Sequence, residues 1–370
     1  MLRLNRLQFT SFRSYREFRL LCDSDIVIIT GPNAVGKTNI VEGIQLITGI
    51  ESFRTSHWAE LPTWGSTQAR VEASIGGDGR DLNLSLQIEG NKRTYVLNGK
   101  RRRASQLRGT LPVVLFTPDD LQLVKSDAQQ RRNTLDSIGI QLSSTYASLK
   151  ADYEKAVRQR NHLLKEEHLN VDIINSWTIS LILVGSRFYQ HRRSLFEQIR
   201  RRFSEIYATM VPQEQADIAY QPSWERELGY RLTPDATLDE VRSVFSDAAE
   251  QMRAREYERR LTLIGPHRDE LVFTINGRDA RKYASQGQQR TLVLAWKLAE
   301  VQVIEDIGKQ SPVLLLDDVM SELDYDRRAA LMEYADTRLQ TFITTTATDY
   351  FDSSILRTAQ VLRLSRGEER

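Results

Sequence analysis

The chain has 370 residues, 40% of them hydrophobic and 27% charged, with 51 basic against 49 acidic side chains and a net charge of +2. That length is enough for about two or three domains with real cores, and the near balance of charge excludes a uniformly basic protein while leaving room for basic patches. The single cysteine, Cys22, allows no internal disulfide, and no Cys/His spacing suits zinc, which together suggest a reducing compartment.

Along the chain, Arg3, Arg6, Arg13 and Arg16 break up the apolar residues of the N-terminal stretch, so no secretory leader is expected there. Apolar runs such as residues 26–29 and 313–316 are far too short to span a membrane. A cytoplasmic, nucleoid-associated protein with no membrane partner is the expectation. Residues 1–30 read as strands: Leu2, Leu4 and Leu7 alternate loosely, and a β-branched run then ends at Gly31. A helix is predicted from about residue 37 to 48. Between residues 70 and 96 the alternation returns, with Leu82, Leu84, Leu86 and Ile88 on one face. Asn98-Gly99 tolerates positive φ at both positions and marks a hairpin. Lys100, Arg101, Arg102 and Arg103 fall on its return strand, and with Arg108 they place five positive charges and no acid within nine residues.

From about residue 141 to 260 the pattern becomes helical. Leu142, Tyr146, Leu149, Tyr153, Ala156 and Leu163 form one stripe. A second runs through Trp177, Leu181, Val184 and Phe188 and continues at Leu195, Ile199 and Phe203; Leu238, Val241, Phe245, Ala248 and Met252 form a third. Pro212, Pro222 and Pro234 punctuate the gap between the second and third. These stripes predict a helical bundle or short coiled-coil arm of about three heptads. Its stretch 187–202 holds six arginines against one acid, Glu197. Strands resume at residues 271–275, followed by an Asn276-Gly277 turn, a helix at about 286–307, and strands at 313–316 and 342–345. Strands at both ends with helices between predict an α/β head assembled from both chain ends. Its segments are 1–118 and 263–370, with 119–262 as an inserted arm.

Gly31, Pro32, Asn33, Ala34, Val35, Gly36, Lys37 and Thr38 match the phosphate-loop pattern, between a short apolar strand and a helix. Backbone N–H groups of such a loop, with Asn39 just beyond it, cradle the phosphates of ATP. Lys37 is expected to reach the β and γ phosphates and the Thr38 hydroxyl to ligate Mg²⁺. The apolar strand 313–316 ends in Asp317 and Asp318. There Asp317 is the candidate second Mg²⁺ ligand, and Asp318 the group that orients or deprotonates an attacking water. An alternative is a plain strand followed by a solvated acidic turn. Ser285, Gly287 and Gln288 open a helix and form an anion site or, equally, an ordinary N-cap.

In this order, phosphate loop, Ser-x-Gly-Gln helix, acidic strand and the Ser321–Asp324 segment resemble the ABC-type ATPase head. In that superfamily the Ser-Gly helix caps the γ-phosphate of ATP bound to a second protomer, which implies an ATP-dependent homodimer. No histidine follows the strand at 342–345, unlike many transporter subunits, and the helical insert resembles the SMC and Rad50 group. The blocks resemble the bacterial RecF family more closely still: Phe9 to Tyr15, Ser52 to Thr55, Leu97 to Lys100, Phe116 to Leu121 with Arg131, Arg132, Leu135 and Asp136, then Gly265-Pro-His-Arg-Asp-Glu270, 284–290 and 316–324. Ala34 stands where that family often has glycine; positive φ is not expected there, so ATP binding should survive. A short carboxylate at Asp318 suits slow, switch-like hydrolysis.

The resemblance implies an ATP-dependent, DNA-binding, dimerising clamp for recombinational repair of gapped DNA and stalled forks, with weak DNA-stimulated ATPase activity. RecR, RecO and RecA are the implied partners, with duplex DNA and single-strand/duplex junctions as the implied ligand. Candidate phosphate-backbone contacts are Lys100, Arg101, Arg102 and Arg103 on the hairpin, Arg131 and Arg132, and Arg192, Arg193, Arg200 and Arg201 in the arginine-rich helix. Taken singly, each basic run reads first as a solvated surface. Arg54 reads equally as a phosphate contact or as an arginine packed on the head. His267 and Arg268 read first as a structural turn, and Gln68 is a candidate metal-side glutamine. The rival functions are a protein-only signalling or transport ATPase subunit, an SMC-like organiser, for which the arm is short, and a nuclease of the overcoming-lysogenisation type, for which no acidic metal-binding segment is present.

Overall fold

A computed structural model of the chain describes residues 2–365, with the side chains of residues 336–338 left out. The chain begins β1 (Arg3–Phe12), β2 (Tyr15–Leu21), β3 (Ile26–Thr30), α1 (Lys37–Ile47) and β4 (Gln68–Gly77). It continues through β5 (Arg80–Glu89), β6 (Lys92–Leu97), β7 (Lys100–Arg102), α2 (Ala104–Leu107) and β8 (Val113–Phe116). The middle carries α3 (Ala128–Leu142), α4 (Ser144–Leu164), α5 (Val171–Met210), β9 (Ala216–Gln221), α6 (Ser223–Leu228) and α7 (Leu238–Arg259). Then come β10 (Glu270–Ile275), β11 (Arg278–Asp279), α8 (Ala280–Tyr283) and α9 (Gln286–Gly308). The last elements are β12 (Val313–Asp317), α10 (Tyr325–Arg338), β13 (Thr341–Thr345), α11 (Ser353–Thr358) and β14 (Gln360–Arg363). Two compact units result: residues 1–121 with 300–370, and residues 122–299.

The first unit is α/β and draws on both chain ends. Its parallel sheet has the order β14-β3-β13-β12-β8. Only β13 separates β3, which feeds the phosphate loop, from β12, which ends in Asp317. All five residues of β3, β12 and β13 are buried, as expected of parallel strands covered on both faces. The second sheet is antiparallel, β2-β1-β4-β5-β6-β7. Helix α1 packs against β12 and β13 and also against β4 and β5, and nine of its 11 residues are buried. Gly43 permits that fit, because a Cβ there would lie 2.4 Å from the Phe9 ring. The Asn98-Gly99 turn forms as expected, with φ of 47° and 76° and Leu97 paired to Lys100.

In the second unit α4 and α7 each pack on α5, and side chains cap the starts of several of its helices. Asp127, Ser143 and Thr237 accept from the backbone N–H groups of Gln130, Tyr146 and Glu240. Helix α5 is one continuous run of 40 residues, about 60 Å at 1.5 Å per residue. It exceeds the three heptads expected because the stripes at 177–188 and 195–203 belong to a single helix. In α4 the buried stripe runs through Tyr146, Tyr153 and Ala156 and then takes Arg160 and Leu164, not Leu163. Arg160 holds that place by pairing with Glu256 of α7 at 2.6 Å. Strand β9 interrupts a region that reads as helical in sequence. Ala216, Ile218 and Tyr220 alternate inward between Pro212 and Pro222, and β9 pairs along its length with β10. That pairing brings residues from beyond position 262 into the second unit.

Candidate functional site

The phosphate loop leaves the buried strand β3 and turns into α1 at Gly36, whose φ is 101°. A Cβ at Gly36 would meet Ser14 Oγ at 2.7 Å and Tyr15 Oη at 2.9 Å, so glycine answers both to backbone strain and to a close neighbour. The β1–β2 turn is therefore packed on the loop, and Tyr15 also donates to the Gly36 carbonyl at 3.2 Å. Ala34 has φ +64°, contrary to the expectation that this position avoids the left-handed region; its Cβ is strained there, and glycine would not be. Lys37 folds across the loop and donates to the carbonyls of Gly31 (2.7 Å) and Pro32 (3.0 Å). Burial lowers its pKa, while Asp318 and Asp317 raise it.

Opposite, 279 residues further along the chain, Asp317 Oδ1 accepts from Thr38 Oγ1 at 3.0 Å. Thr344 of β13 donates to the same oxygen at 2.6 Å. Burial raises the Asp317 pKa against these hydrogen bonds and the charges of Arg54 and Lys37. Asp318 sits at φ +55° with its N–H bonded to Thr344 Oγ1 at 3.0 Å, while its Oδ1 is buried without a hydrogen-bond partner. Burial raises the Asp318 pKa, and the nearby Lys37 charge lowers it. A hydroxyl and a carboxylate, both hard oxygen donors, suit Mg²⁺, which needs few protein ligands when phosphates supply the rest.

The sequence reading missed Glu42, whose side chain is fully buried on α1. It accepts two bonds from Arg13 (2.8 and 2.7 Å), one from Ser52 (2.5 Å) and a long one from Arg54 (3.4 Å). Arg54 also donates to Asn39 Oδ1 at 2.7 Å, so the Phe9–Tyr15 and Ser52–Thr55 blocks converge on the phosphate-loop helix. Gln68 does not join them: it opens β4 and donates to Glu89 at 3.1 Å. The residue registered beside Asp317 is instead Thr344 of β13.

In the second unit Ser285 and Gln288 cap each other. Gln288 N–H donates to Ser285 Oγ at 3.2 Å, and Ser285 N–H donates to Gln288 Oε1 at 2.9 Å. Accepting that bond leaves the exposed Ser285 hydroxyl proton available to an anion. Gly287 lies within the same first turn of α9.

The expected DNA contacts divide. Lys100, Arg101, Arg102 and Arg103 are all exposed at the edge strand β7 and just beyond it. Arg201 is exposed on α5. Arg131 and Arg192 are corrections. Arg131 is 3% exposed and paired through two bonds with Glu270, and Arg192 is held through two bonds by the buried Asp136. Neither can reach a phosphate without breaking a buried pair. Arg132 donates to the Asp269 carbonyl at 2.6 Å, Arg193 pairs with Glu197 at 2.7 Å and Arg200 with Asp217 at 2.6 Å.

His267 and Arg268 lie in a short turn, each bonded to the Thr262 carbonyl. His267 Nδ1 meets Tyr153 Oη at 2.6 Å and its Nε2 meets the Thr262 carbonyl at 3.2 Å, a pattern that suits the neutral ring. Burial pushes its pKa down to about 3. Next to it, Asp269 accepts from Tyr220 at 2.5 Å and from Ser223 N–H at 2.7 Å, and Arg192 donates to the Pro266 carbonyl at 2.6 Å.

A phosphate loop and an acidic strand with one strand between them in a parallel sheet, together with a Ser-Gly-opened helix, define an ABC-type ATPase head with an inserted helical arm. The family model described as RecF/RecN/SMC N terminal domain matches residues 3–368. The DNA replication and repair protein RecF of Halalkalibacterium halodurans is 37% identical over 369 residues, covering 98% of each chain. That of Rippkaea orientalis is 37% identical over 387 residues, covering 99% of this chain and 98% of its own. Among solved structures, the recombination mediator protein RecF-ATPrS in the RecFOR pathway matches with TM-score 0.86 at 28% identity, covering 95% of this chain and 94% of that one. An Smc head domain from Pyrococcus furiosus shares the fold at TM-score 0.55 and 18% identity, covering 100% of this chain and 95% of that one. The chain belongs to the RecF/RecN/SMC family, on its RecF branch.

Proposed function

We propose that this chain is an ATP-dependent, DNA-binding and dimerising clamp that acts in the cytoplasm, at the nucleoid, in recombinational repair of gapped DNA and stalled forks. It would assist RecA loading together with RecO and RecR. The observation that carries the reading is the Thr38–Asp317 hydrogen bond, which closes a nucleotide site from opposite ends of the chain. Likeness to a RecF structure in the RecFOR pathway supports the biological setting.

In this reading the loop amides and Lys37 hold the ATP phosphates, and Ser285 with Gly287 and Gln288 caps the γ-phosphate of ATP on a second copy. Thr38 and Asp317 would hold Mg²⁺, which neutralises phosphate charge when bound. Asp318 aligns the attacking water with its unpaired oxygen. Because this carboxylate is short, turnover is slow, well below the enzyme median of about 10 per second, and DNA raises it. The segments 1–118 and 263–370 act as the head and 119–262 as the arm, with duplex DNA or a junction held by backbone contacts. ATP need only favour the closed dimer by its differential affinity for it.

The test is DNA binding by wild type, Lys37→Met and Ser285→Arg, each with ATP. The reading expects both variants to lose ATP-dependent binding; if both bind as wild type does, the proposed coupling is wrong. Wild type that binds no DNA in any nucleotide state would favour a protein-only ATPase subunit.

A further inference from the structure

Gln288 has a second partner besides Ser285. Its Nε2 donates to Glu214 Oε1 at 2.7 Å. The other oxygen of the same carboxylate accepts from Tyr207 Oη at 2.6 Å. Tyr207 is fully buried one turn from the end of α5, and Glu214 lies in the short connection from α5 to β9. One half-buried carboxylate thus joins the 40-residue arm helix to the first turn of α9. The geometry constrains Gln288 at both ends of its amide: Oε1 takes the Ser285 N–H, and Nε2 is fixed by Glu214. An amide so held cannot flip or change rotamer without breaking a charge-assisted bond; its oxygen fixes the Ser285 backbone N–H, while the Gln288 backbone N–H holds the Ser285 hydroxyl oxygen.

We infer that Glu214 is a positioning residue: through Gln288 it holds Ser285 in the orientation that receives the phosphate of a second copy's nucleotide, and through Tyr207 it ties that orientation to the arm helix. This rests on the proposed reading of Ser285. Glu214 meets no nucleotide itself. Its loss leaves the phosphate loop of the same chain untouched and weakens only the association step. Gln288 is then a relay as well as a cap, and strain along the end of α5 reaches the first turn of α9 through three side chains.

The experiment measures the ATP-dependent dimer dissociation constant of wild type, Glu214→Ala, Glu214→Gln, Tyr207→Phe, Gln288→Ala and the double variant Glu214→Ala with Gln288→Ala, alongside ATP affinity in dilute, monomeric protein. Loss of a charge-assisted bond predicts that Glu214→Ala weakens dimerisation by about tenfold or more. Monomer ATP affinity should stay at the wild-type value. Glu214→Gln, which keeps an acceptor for Gln288, should recover most of the loss. The double variant should be no weaker than Gln288→Ala alone, since both changes cut one relay. Equal dimerisation by wild type and Glu214→Ala overturns the inference while leaving the clamp reading intact, as does additivity of the two changes. Wild type that fails to dimerise with ATP overturns both. Tyr207→Phe, which keeps the ring and removes only the donor, guards against a folding defect: an unchanged dimerisation constant there overturns the link to the arm.

Discussion

Ala34 carries a Cβ at φ +64°, where the left-handed region costs an L-residue about 1–2 kcal/mol. Ala34→Gly should relieve that strain and raise unfolding free energy by about 1 kcal/mol in urea titrations, net of glycine's greater unfolded-state entropy. A decrease would mean the loop gains more from the methyl group than it loses in backbone strain. His267 supplies a pH signature. Its folded pKa is pushed down to about 3, whereas an unfolded histidine titrates near 6.5. The unfolded chain therefore binds a proton that the fold refuses, so its stabilising effect is complete above about pH 6.5 and is lost as pH falls toward 3. His267→Gln should flatten the decline of unfolding free energy between about pH 7 and pH 4, and an unaltered slope would contradict the buried neutral ring. At this scale the sequence was legible where chemistry demands a residue type at fixed spacing, as at Lys37, Thr38 and Asp317. It was silent on Glu42 and Thr344, whose roles come from partners 29 and 27 residues away and follow no motif.

Whether an arginine faces solvent depends on the element that carries it and on what packs beside it. Arg192 lies on the buried face of α5 against Asp136, so Arg192→Met strands a carboxylate and should cost about 3–5 kcal/mol. Arg101 and Arg103, exposed at the β7 edge, should change stability by no more than about 0.5 kcal/mol on replacement by alanine. Replacing both should instead weaken DNA binding about equally for all sequences and reduce the salt slope by about two; an unaltered slope would leave these charges as protection of an open sheet edge. Periodicity located the helices but could not separate Arg131 and Arg192 from surface arginines, because their pairing acids, Glu270 and Asp136, lie 139 and 56 residues away. Strand β9 escaped for a similar reason. A six-residue alternation among helical stripes acquires meaning only through β10.

At the level of the whole molecule, the α/β head was legible because the motifs at the two ends require each other: strand β3 delivers the loop, β12 delivers the carboxylate, and β13 sets them one strand apart. Under the proposed function each chain holds half of two sites, a phosphate loop for its own ATP and a Ser285 end for its partner's. The most direct measurement is the molar mass by light scattering, with ATP, of Lys37→Met alone, Ser285→Arg alone and an equimolar mixture. A mixed dimer contains one intact site, formed by the loop of the Ser285→Arg chain and the Ser285 end of the Lys37→Met chain. Each variant alone should stay monomeric, and the mixture should form dimers at concentrations where wild type does. A mixture as monomeric as its components, beside a wild type that dimerises, would contradict that function.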